Sequence, residues 1–192
     1  DLKYLRPYYY WLPLIGLFSG ARIDELCQLH LCDIRLVAEE QTEAVWVFDI
    51  NDDGIKKFKP GSSKRLIPIH SRVLEAGLLE YVKYLRKRGE TRLFPELTHG
   101  RDGFAKNAIS WFSNRYTKKL GIKKGRSFHS FRHTLADHLK QAEDPEKKIG
   151  AILGHTDRSI TTGRYGKAYR PDVLKPVIEM LDFDIGPIKP FK

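Results

Sequence analysis

This chain of 192 residues, 41% hydrophobic and 30% charged, can bury one sizeable core or two small lobes. It contains no run approaching the roughly 18 apolar residues of a transmembrane helix, which excludes a membrane-spanning protein. Its 34 Lys and Arg against 24 Asp and Glu give a formal net charge of +10. Such an excess is typical of a protein that binds nucleic acid, and binding to an anionic membrane surface is the weaker alternative.

The first half of the chain predicts two helices followed by three short strands. Pro7 suits the first turn of a helix over about residues 7–18. Ser19 is the expected N-cap of a second helix at about 21–30, whose inner stripe comprises Ile23, Leu26, Cys27 and His30. Strand-like runs follow at 34–37, 44–50 and 65–69, and the polar segment between the last two predicts a hairpin.

The second half predicts helices. Ser71 is the expected cap of a long helix with apolar positions Val73, Leu74, Leu78, Leu79, Val82 and Leu85. Further helices are predicted at about 104–119, 130–142, 145–153 and 171–182. The pattern predicts an α+β fold, mainly α-helical with a small antiparallel β-sheet, in a single domain over residues 1–192. Because Asp1 opens the sequence without an initiator methionine or signal peptide, we expect an excised domain of a longer chain.

The two cysteines, Cys27 and Cys32, bracket His30 but are too few for a disulfide framework. Three ligands so close together on one helix rarely complete a tetrahedral metal site. We therefore expect two buried free thiols in a reducing compartment.

The segment "GARIDEL" at 20–26 carries the first candidate site. Arg22 falls in the first turn of its predicted helix, where the helix dipole disfavours a cation. A helix N-terminus with free N–H groups and an arginine is suited to bind an anion, although a solvated surface arginine is the plainer alternative. Glu25, three residues on, is expected to hold the Arg22 guanidinium in place.

The segment "FHSFRH" at 128–133 carries the second candidate. His129 and Arg132 share one helix face, and Ser130 between them can cap the helix. Arginine matches phosphate oxygens with two parallel hydrogen bonds. His129 and His133 also have the spacing of a metal pair, but no Glu lies between them as in a metalloprotease helix.

The segment "LGHTDRSITTGRYGK" at 153–167 carries the third. Gly154 is expected to end a helix, and His155 follows at its exposed end. Tyr165 lies ten residues later in a polar stretch. A tyrosine there is usually a partly buried ring, but beside two arginines it is a candidate nucleophile.

The ordered set "ARIDEL", "HSFR", "LGH" and a following "RYG" resembles the catalytic domain of the tyrosine recombinases, also called phage-type integrases. Each block is weak evidence by itself, but the ordered set is specific and runs from residue 20 to 166. The resemblance extends to the hairpin segment "KPGSSKRLIPIH". It implies the DNA breaking–rejoining fold, without the family's N-terminal DNA-clamping domain.

The resemblance also implies roles for individual residues. Arg22 and Arg132 would clamp the scissile phosphate, and His155 occupies the position held by His or Trp. Tyr165 matches the nucleophile. It lies ten residues after His155, where nine is more usual in the family, so Tyr169 is kept as the fallback. The hairpin lysine corresponds to Lys59. Because hairpin length varies in the family, the alternatives are Lys56, Lys57 and Lys64.

The implied reaction is transesterification at a DNA phosphodiester through a 3′-phosphotyrosyl intermediate, without ATP, metal or another cofactor. The two arginines would stabilise the transition-state charge that Mg²⁺ neutralises in many phosphoryl transfers. His129 would accept the phenol proton, and Lys59 would protonate the leaving oxygen. Basic side chains outside the site are expected to contact phosphates, among them Lys57, Lys64, Lys123, Lys124 and Arg126.

The expected function is a site-specific recombinase that integrates or excises a phage or mobile element. Its partner would be double-stranded DNA in the bacterial cytoplasm, at the nucleoid, with no membrane and no small-molecule substrate. The C-terminal helix would either assemble a homotetramer on paired DNA sites or pack on its own domain. Two alternatives are a type IB topoisomerase, against which the histidine of "HSFR" argues, and a non-catalytic DNA-binding domain of the same fold.

Overall fold

The computed structural model describes residues 6–38, 42–57, 64–101, 103–123, 125–142, 146–155 and 168–191. Helix α1, Pro7–Ser19, runs through the core and confirms the prediction for this segment. It buries Trp11, Leu12, Ile15 and Phe18. Pro7 occupies its first turn, and Gly20 ends it with φ of +61°, a conformation that glycine adopts without steric cost.

Helix α2, Ile23–Cys27, is shorter than the predicted 21–30 segment, and Ser19 is not its cap. The Ser19 hydroxyl instead donates to the carbonyl of Ile15 in α1, at 2.6 Å. Arg22 is the N-cap residue, and its N–H donates to Glu25 Oε2 at 2.8 Å. A 3₁₀ turn, Leu31–Asp33, follows α2, and His30 is only half-buried rather than part of an inner stripe.

The three strands form one antiparallel sheet in the order β1, Ile34–Val37, β2, Val45–Ile50, and β3, Arg65–Pro68. Phe48 of β2 faces Ile34 on one side and Ile67 on the other. All three side chains are buried, so this face of the sheet joins the core. The predicted pairing of the last two strands is confirmed.

The predicted long helix after the sheet is two helices, α3, Ser71–Glu75, and α4, Leu78–Lys87. Gly77, with φ of +92°, separates them. The cap of α3 is His70 rather than Ser71, because the His70 side chain accepts a hydrogen bond from the N–H of Arg72. Four of the predicted apolar positions are nevertheless buried, namely Val73, Leu78, Val82 and Leu85.

The rest of the described chain is mainly helical. Residues 106–119 form α5, Lys106–Trp111, a π-helical segment, Phe112–Tyr116, and α6, Thr117–Lys119. Helix α7, His129–Gln141, packs on α1. Since α7 begins at His129, Ser130 lies inside its first turn and does not cap it. The last two helices are α8, Glu146–Leu153, and α9, Pro171–Glu179.

Helix α9 packs on strands β2 and β3 of its own domain. Leu174, Val177, Ile178 and Leu181 are all at most 2% exposed, so most of its apolar stripe is already covered within one molecule. The segment after it continues along the same domain, where the ring of Phe191 contacts Trp11 and Tyr81. Of the two roles expected for this helix, the structure shows the packing on its own domain.

The cysteines are free thiols, but only Cys27 is buried; Cys32 is exposed, contrary to the prediction. Over the ranges that the structure describes, no helix combines the length and apolar character needed to cross a membrane. The architecture is α+β, mainly helical with a three-stranded antiparallel sheet, as predicted.

Candidate active site

The three predicted site segments meet around Arg132 of α7. Its Nη1 donates to the carbonyl of Gly20 at 3.1 Å, and its Nη2 donates to the carbonyl of Leu153. The first carbonyl lies two residues before Arg22, and the second lies two residues before His155. The side chain of Arg132 therefore links the turn between α1 and α2 to the end of α8.

Arg132 is buried, at 4% exposure, among other cations. Burial, together with the positive charges of Arg65 and Arg22, lowers its pKa to about 10. The guanidinium is still protonated at neutral pH, so the free protein holds concentrated positive charge here. An anion that enters this place removes that repulsion, which is the electrostatic condition for binding a phosphate.

Arg65, which the sequence interpretation treated only as the first residue of a strand, lies in the same cluster. Its Nε donates to the carbonyl of Ile152 at 2.8 Å. Its Nη1 and Nη2 donate to Glu25 Oε1 and Oε2 at 3.1 and 2.7 Å. One signal for it was available: in a strand with period two, Arg65 shares a face with the buried Ile67.

Glu25 was expected to hold the Arg22 guanidinium, whereas the bonds described here go to the Arg22 backbone and the Arg65 guanidinium. It is 3% exposed, and its carboxylate accepts the backbone N–H of Arg22 and both Nη atoms of Arg65. Burial alone would raise its pKa, but the Arg65 guanidinium and the Arg22 N–H outweigh that effect and lower it. Glu25 is thus a carboxylate inside the fold, joining α2 to β3.

The two histidines of the site are both biased toward the neutral form. Partial desolvation and the charges of His133, Arg132 and Arg22 lower the pKa of His129. Partial desolvation and the charges of Arg132, Arg22 and Arg65 lower the pKa of His155. Neutral imidazole can accept a proton at one nitrogen and donate a hydrogen bond at the other. At neutral pH, His155 therefore offers a phosphate a hydrogen bond rather than a full charge.

Gly154 brings His155 to the site by ending α8 in a left-handed turn with φ of +70°. The N–H of His155 donates to the carbonyl of Gly150 at 2.9 Å, which closes this turn. A Cβ on residue 154 would lie 2.7 Å from Arg65 Nη1. Glycine is required here for the backbone conformation and for the close approach of Arg65.

Two predicted catalytic residues, Lys59 and Tyr165, lie outside the described residues, so their roles stay predictions. Among the alternatives to Lys59, Lys56 is buried, and its Nζ lies 2.9 Å from both carboxylate oxygens of Asp33. That ion pair holds Lys56 inside the fold. Lys57 is exposed, and exposed Lys64 pairs with Asp52 at 2.5 Å.

The predicted DNA-contacting residues are on the surface where they are described. The side chains of Lys57, Lys64, Lys123 and Arg126 are exposed, and Lys124 lies outside the described residues. Tyr169, the fallback nucleophile, is 39% exposed. Exposure permits contact with a duplex, but their roles in DNA binding and cleavage stay predictions.

An open cleft lies beside Arg22 and His129. Its apolar wall includes Ile23, Ile109 and Phe112, the last from the π-helical segment. In the ranges that the structure covers, no group of three or more His, Cys, Asp and Glu side chains is arranged to hold a metal ion. The described site is therefore a set of arginines and imidazoles beside a partly apolar cleft.

Residues 8–170 match the family model described as "Phage integrase family". The curated relatives include tyrosine recombinase XerC of Thermodesulfovibrio yellowstonii, 27% identical over 85% of this chain and 50% of its own length. Tyrosine recombinase XerD of Staphylococcus saprophyticus is 26% identical over 74% of this chain and 44% of its own. Tyrosine recombinase XerC of Myxococcus xanthus is 29% identical over 77% of this chain and 46% of its own length. The chain thus spans about half the length of these relatives. No solved structure matches it.

Proposed function

Since the chain belongs to the phage integrase family, that of the tyrosine recombinases, we propose that it is the catalytic part of a site-specific DNA recombinase. It would cleave and rejoin DNA through a 3′-phosphotyrosyl intermediate. The observation that carries the proposal is the meeting of Arg132 with the segments of Arg22 and His155. These are the positions that the family resemblance assigns to the phosphate.

The two arginines and His155 would hold the scissile phosphate. In the transition state, negative charge grows on the non-bridging oxygens, and donors already in place stabilise it without reorganisation. Arg132 is fixed by two backbone carbonyls, and Arg22 is the N-cap residue of α2, where its N–H donates to Glu25. We assign to these arginines the charge neutralisation that Mg²⁺ supplies in many other phosphoryl transfers.

In the cleavage step, Tyr165 Oη attacks phosphorus and the bond to the 5′ oxygen breaks. The phenol proton moves to His129, and Lys59 protonates the departing 5′ oxygen. The lowered pKa of His129, caused by desolvation and the surrounding cations, keeps it neutral and able to accept that proton. The 3′-phosphotyrosyl bond conserves the energy of the phosphodiester, so the reverse attack of a 5′ hydroxyl rejoins DNA without ATP.

Three finer parts of the proposal rest on the family resemblance. The recombinase would act on double-stranded DNA in the bacterial cytoplasm, at the nucleoid, and would integrate or excise a phage or mobile element. A homotetramer on paired sites would form with residues other than Leu174, Val177 and Ile178, which are buried within the monomer. The relatives' printed names say recombinase and do not specify a mobile element.

A suicide duplex, nicked so that the 5′ product diffuses away, tests the proposal. We expect a covalent protein–DNA adduct that forms equally with and without EDTA. No adduct would contradict a cleaving enzyme and favour a non-catalytic DNA-binding domain. Loss of the adduct in EDTA would contradict the metal-free mechanism. Relaxation of a supercoiled plasmid that lacks paired sites would favour a type IB topoisomerase.

A further inference from the structure

We propose that Arg65 is a positioning residue of the active site, and that its guanidinium aligns the phosphate-binding groups on three separate elements. The inference rests on the proposed function, because it assigns a role within the same site. Neither the sequence motifs nor the resemblance assigned Arg65 a part in the reaction.

All three nitrogens of the Arg65 guanidinium have partners inside the fold. Two of them donate to Glu25, whose Oε2 also accepts the N–H of Arg22. The third donates to the carbonyl of Ile152, three residues before His155. Arg65 itself opens β3. One side chain therefore connects strand β3, the N-cap of α2 and the last turn of α8.

Arg65 differs from a phosphate ligand in its partners. The carboxylate of Glu25 compensates its charge at 2.7 Å, and its three nitrogens already donate to Glu25 and to the Ile152 carbonyl. Arg132 makes the complementary connection by bonding to Gly20 and Leu153. The two arginines thus join α2 to α8 by separate routes, Arg132 directly and Arg65 through Glu25.

The planar fork of arginine is what this position requires. A lysine at 65 keeps the charge, but its single nitrogen cannot occupy the positions of Nε, Nη1 and Nη2 at once, so it cannot hold Glu25 and the Ile152 carbonyl in this geometry. Gly154 leaves room for this fork, since a Cβ on residue 154 would lie 2.7 Å from Arg65 Nη1. Losing the fork would let Arg22 and His155 drift, and misplacement by about 1 Å can cost on the order of 100-fold in rate.

The first test compares Arg65→Lys with Arg35→Lys. Arg35 is the matched control, because it also lies on a strand and pairs with a carboxylate, Asp49, but is exposed. We expect Arg65→Lys to bind duplex DNA within about twofold of the wild type and to cleave bound suicide duplex at least about tenfold more slowly. Arg35→Lys should change neither. A folded Arg65→Lys protein that cleaves bound DNA at the wild-type rate would overturn the proposal.

The second test needs no cleavage and separates this proposal from the proposed function. The pKa of His155 in free protein is measured by NMR in Arg65→Met and Arg35→Met. Among the described residues, Arg132, Arg22 and Arg65 lower the His155 pKa through their positive charges. Removing Arg65 should therefore raise the His155 pKa, while removing Arg35 should leave it unchanged.

An unchanged His155 pKa in folded Arg65→Met would show that the Arg65 guanidinium does not lie beside the end of α8, and would overturn the proposal. A raised pKa in a protein that forms no DNA adduct would support the placement of Arg65 beside His155 while contradicting the recombinase function. A variant that fails to fold under assay conditions would assign Arg65 to folding alone, which also overturns a positioning role. The Glu25→Gln variant, which keeps the side-chain shape, should reproduce the cleavage defect of Arg65→Lys.

Discussion

Arg132 and Gly20 are 112 residues apart in sequence, yet Arg132 Nη1 lies 3.1 Å from the Gly20 carbonyl oxygen. With a second bond to Leu153, this contact uses two of the five guanidinium N–H donors. Both carbonyls end helices, where four carbonyls have no partner within the helix. Arg132 therefore satisfies two helix ends and is held rigidly where a phosphate would bind.

Arg132→Lys should reduce cleavage far more than DNA binding. Lysine keeps the charge, but its single nitrogen cannot occupy the positions of both Nη atoms, so the transition state loses preorganised donors. We expect single-turnover cleavage at saturating DNA to fall about 100-fold or more. Exposed Arg115→Lys is the control and should retain the wild-type rate. Normal cleavage by Arg132→Lys would remove Arg132 from the phosphate-binding role.

His129 and His155 should both titrate below the usual histidine value of about 6.5 in the free protein. Their folded-state pKa lies below the unfolded one, so folding favours the neutral form. The stability that this contributes is present above the unfolded pKa and is lost as the pH falls through the folded pKa. Side-chain NMR titration measures both values. A pKa at or above 6.5 for either residue would contradict the cationic surroundings described here.

Cleavage by the wild-type protein should keep its rate near neutral pH and decline on the acid side. The reason is that protonated His129 can no longer accept the phenol proton. The measurement is single-turnover cleavage across pH with His129→Gln as the comparison. A rate that rises as the pH falls below 6 would contradict the assignment of His129 as proton acceptor.

The local signals in the sequence predicted most of the element types and singled out the three segments that Arg132 brings together. They failed where tertiary contacts outweighed local preference. Ser19 and Ser71 have the chemistry of helix caps, but the Ser19 hydroxyl bonds back into α1 and His70 takes the capping position. The split between α3 and α4 depends on the backbone of Gly77, which an apolar helical pattern does not reveal.

The Lys56–Asp33 pair shows the other limit of sequence reasoning. Lys56 looks like its neighbours in a polar, lysine-rich segment, and it was an alternative for the general acid. Only the fold shows that it is 6% exposed and bound to Asp33, 23 residues earlier in the chain. Arg65 escaped notice for the same reason, because its carboxylate partner lies 40 residues away.

Lys56→Met should destabilise the protein strongly, because it leaves the buried carboxylate of Asp33 without its cation. We expect the free energy of unfolding to fall by about 3–5 kcal/mol in chemical denaturation. Lys64→Met is the matched control, since Lys64 pairs with an exposed carboxylate and should leave stability nearly unchanged. Equal, small effects of the two substitutions would contradict the buried pair.

Leu174→Ala should lower the stability of the isolated domain, because Leu174 is 2% exposed against the sheet. We expect a loss of about 2–5 kcal/mol in the free energy of unfolding. Met180→Ala, at a position that is 39% exposed, is the control and should have a much smaller effect. If Leu174→Ala left stability intact and instead reduced self-association, the helix would be an interface element rather than part of the core.

The central claim is that Tyr165 carries the covalent intermediate, and Tyr169 offers an internal control four residues away. The decisive measurement is denaturing gel analysis of a labelled suicide duplex with the wild type, Tyr165→Phe and Tyr169→Phe. We predict a protein–DNA adduct with the wild type and with Tyr169→Phe, and none with Tyr165→Phe. An adduct that persists in Tyr165→Phe would contradict the account.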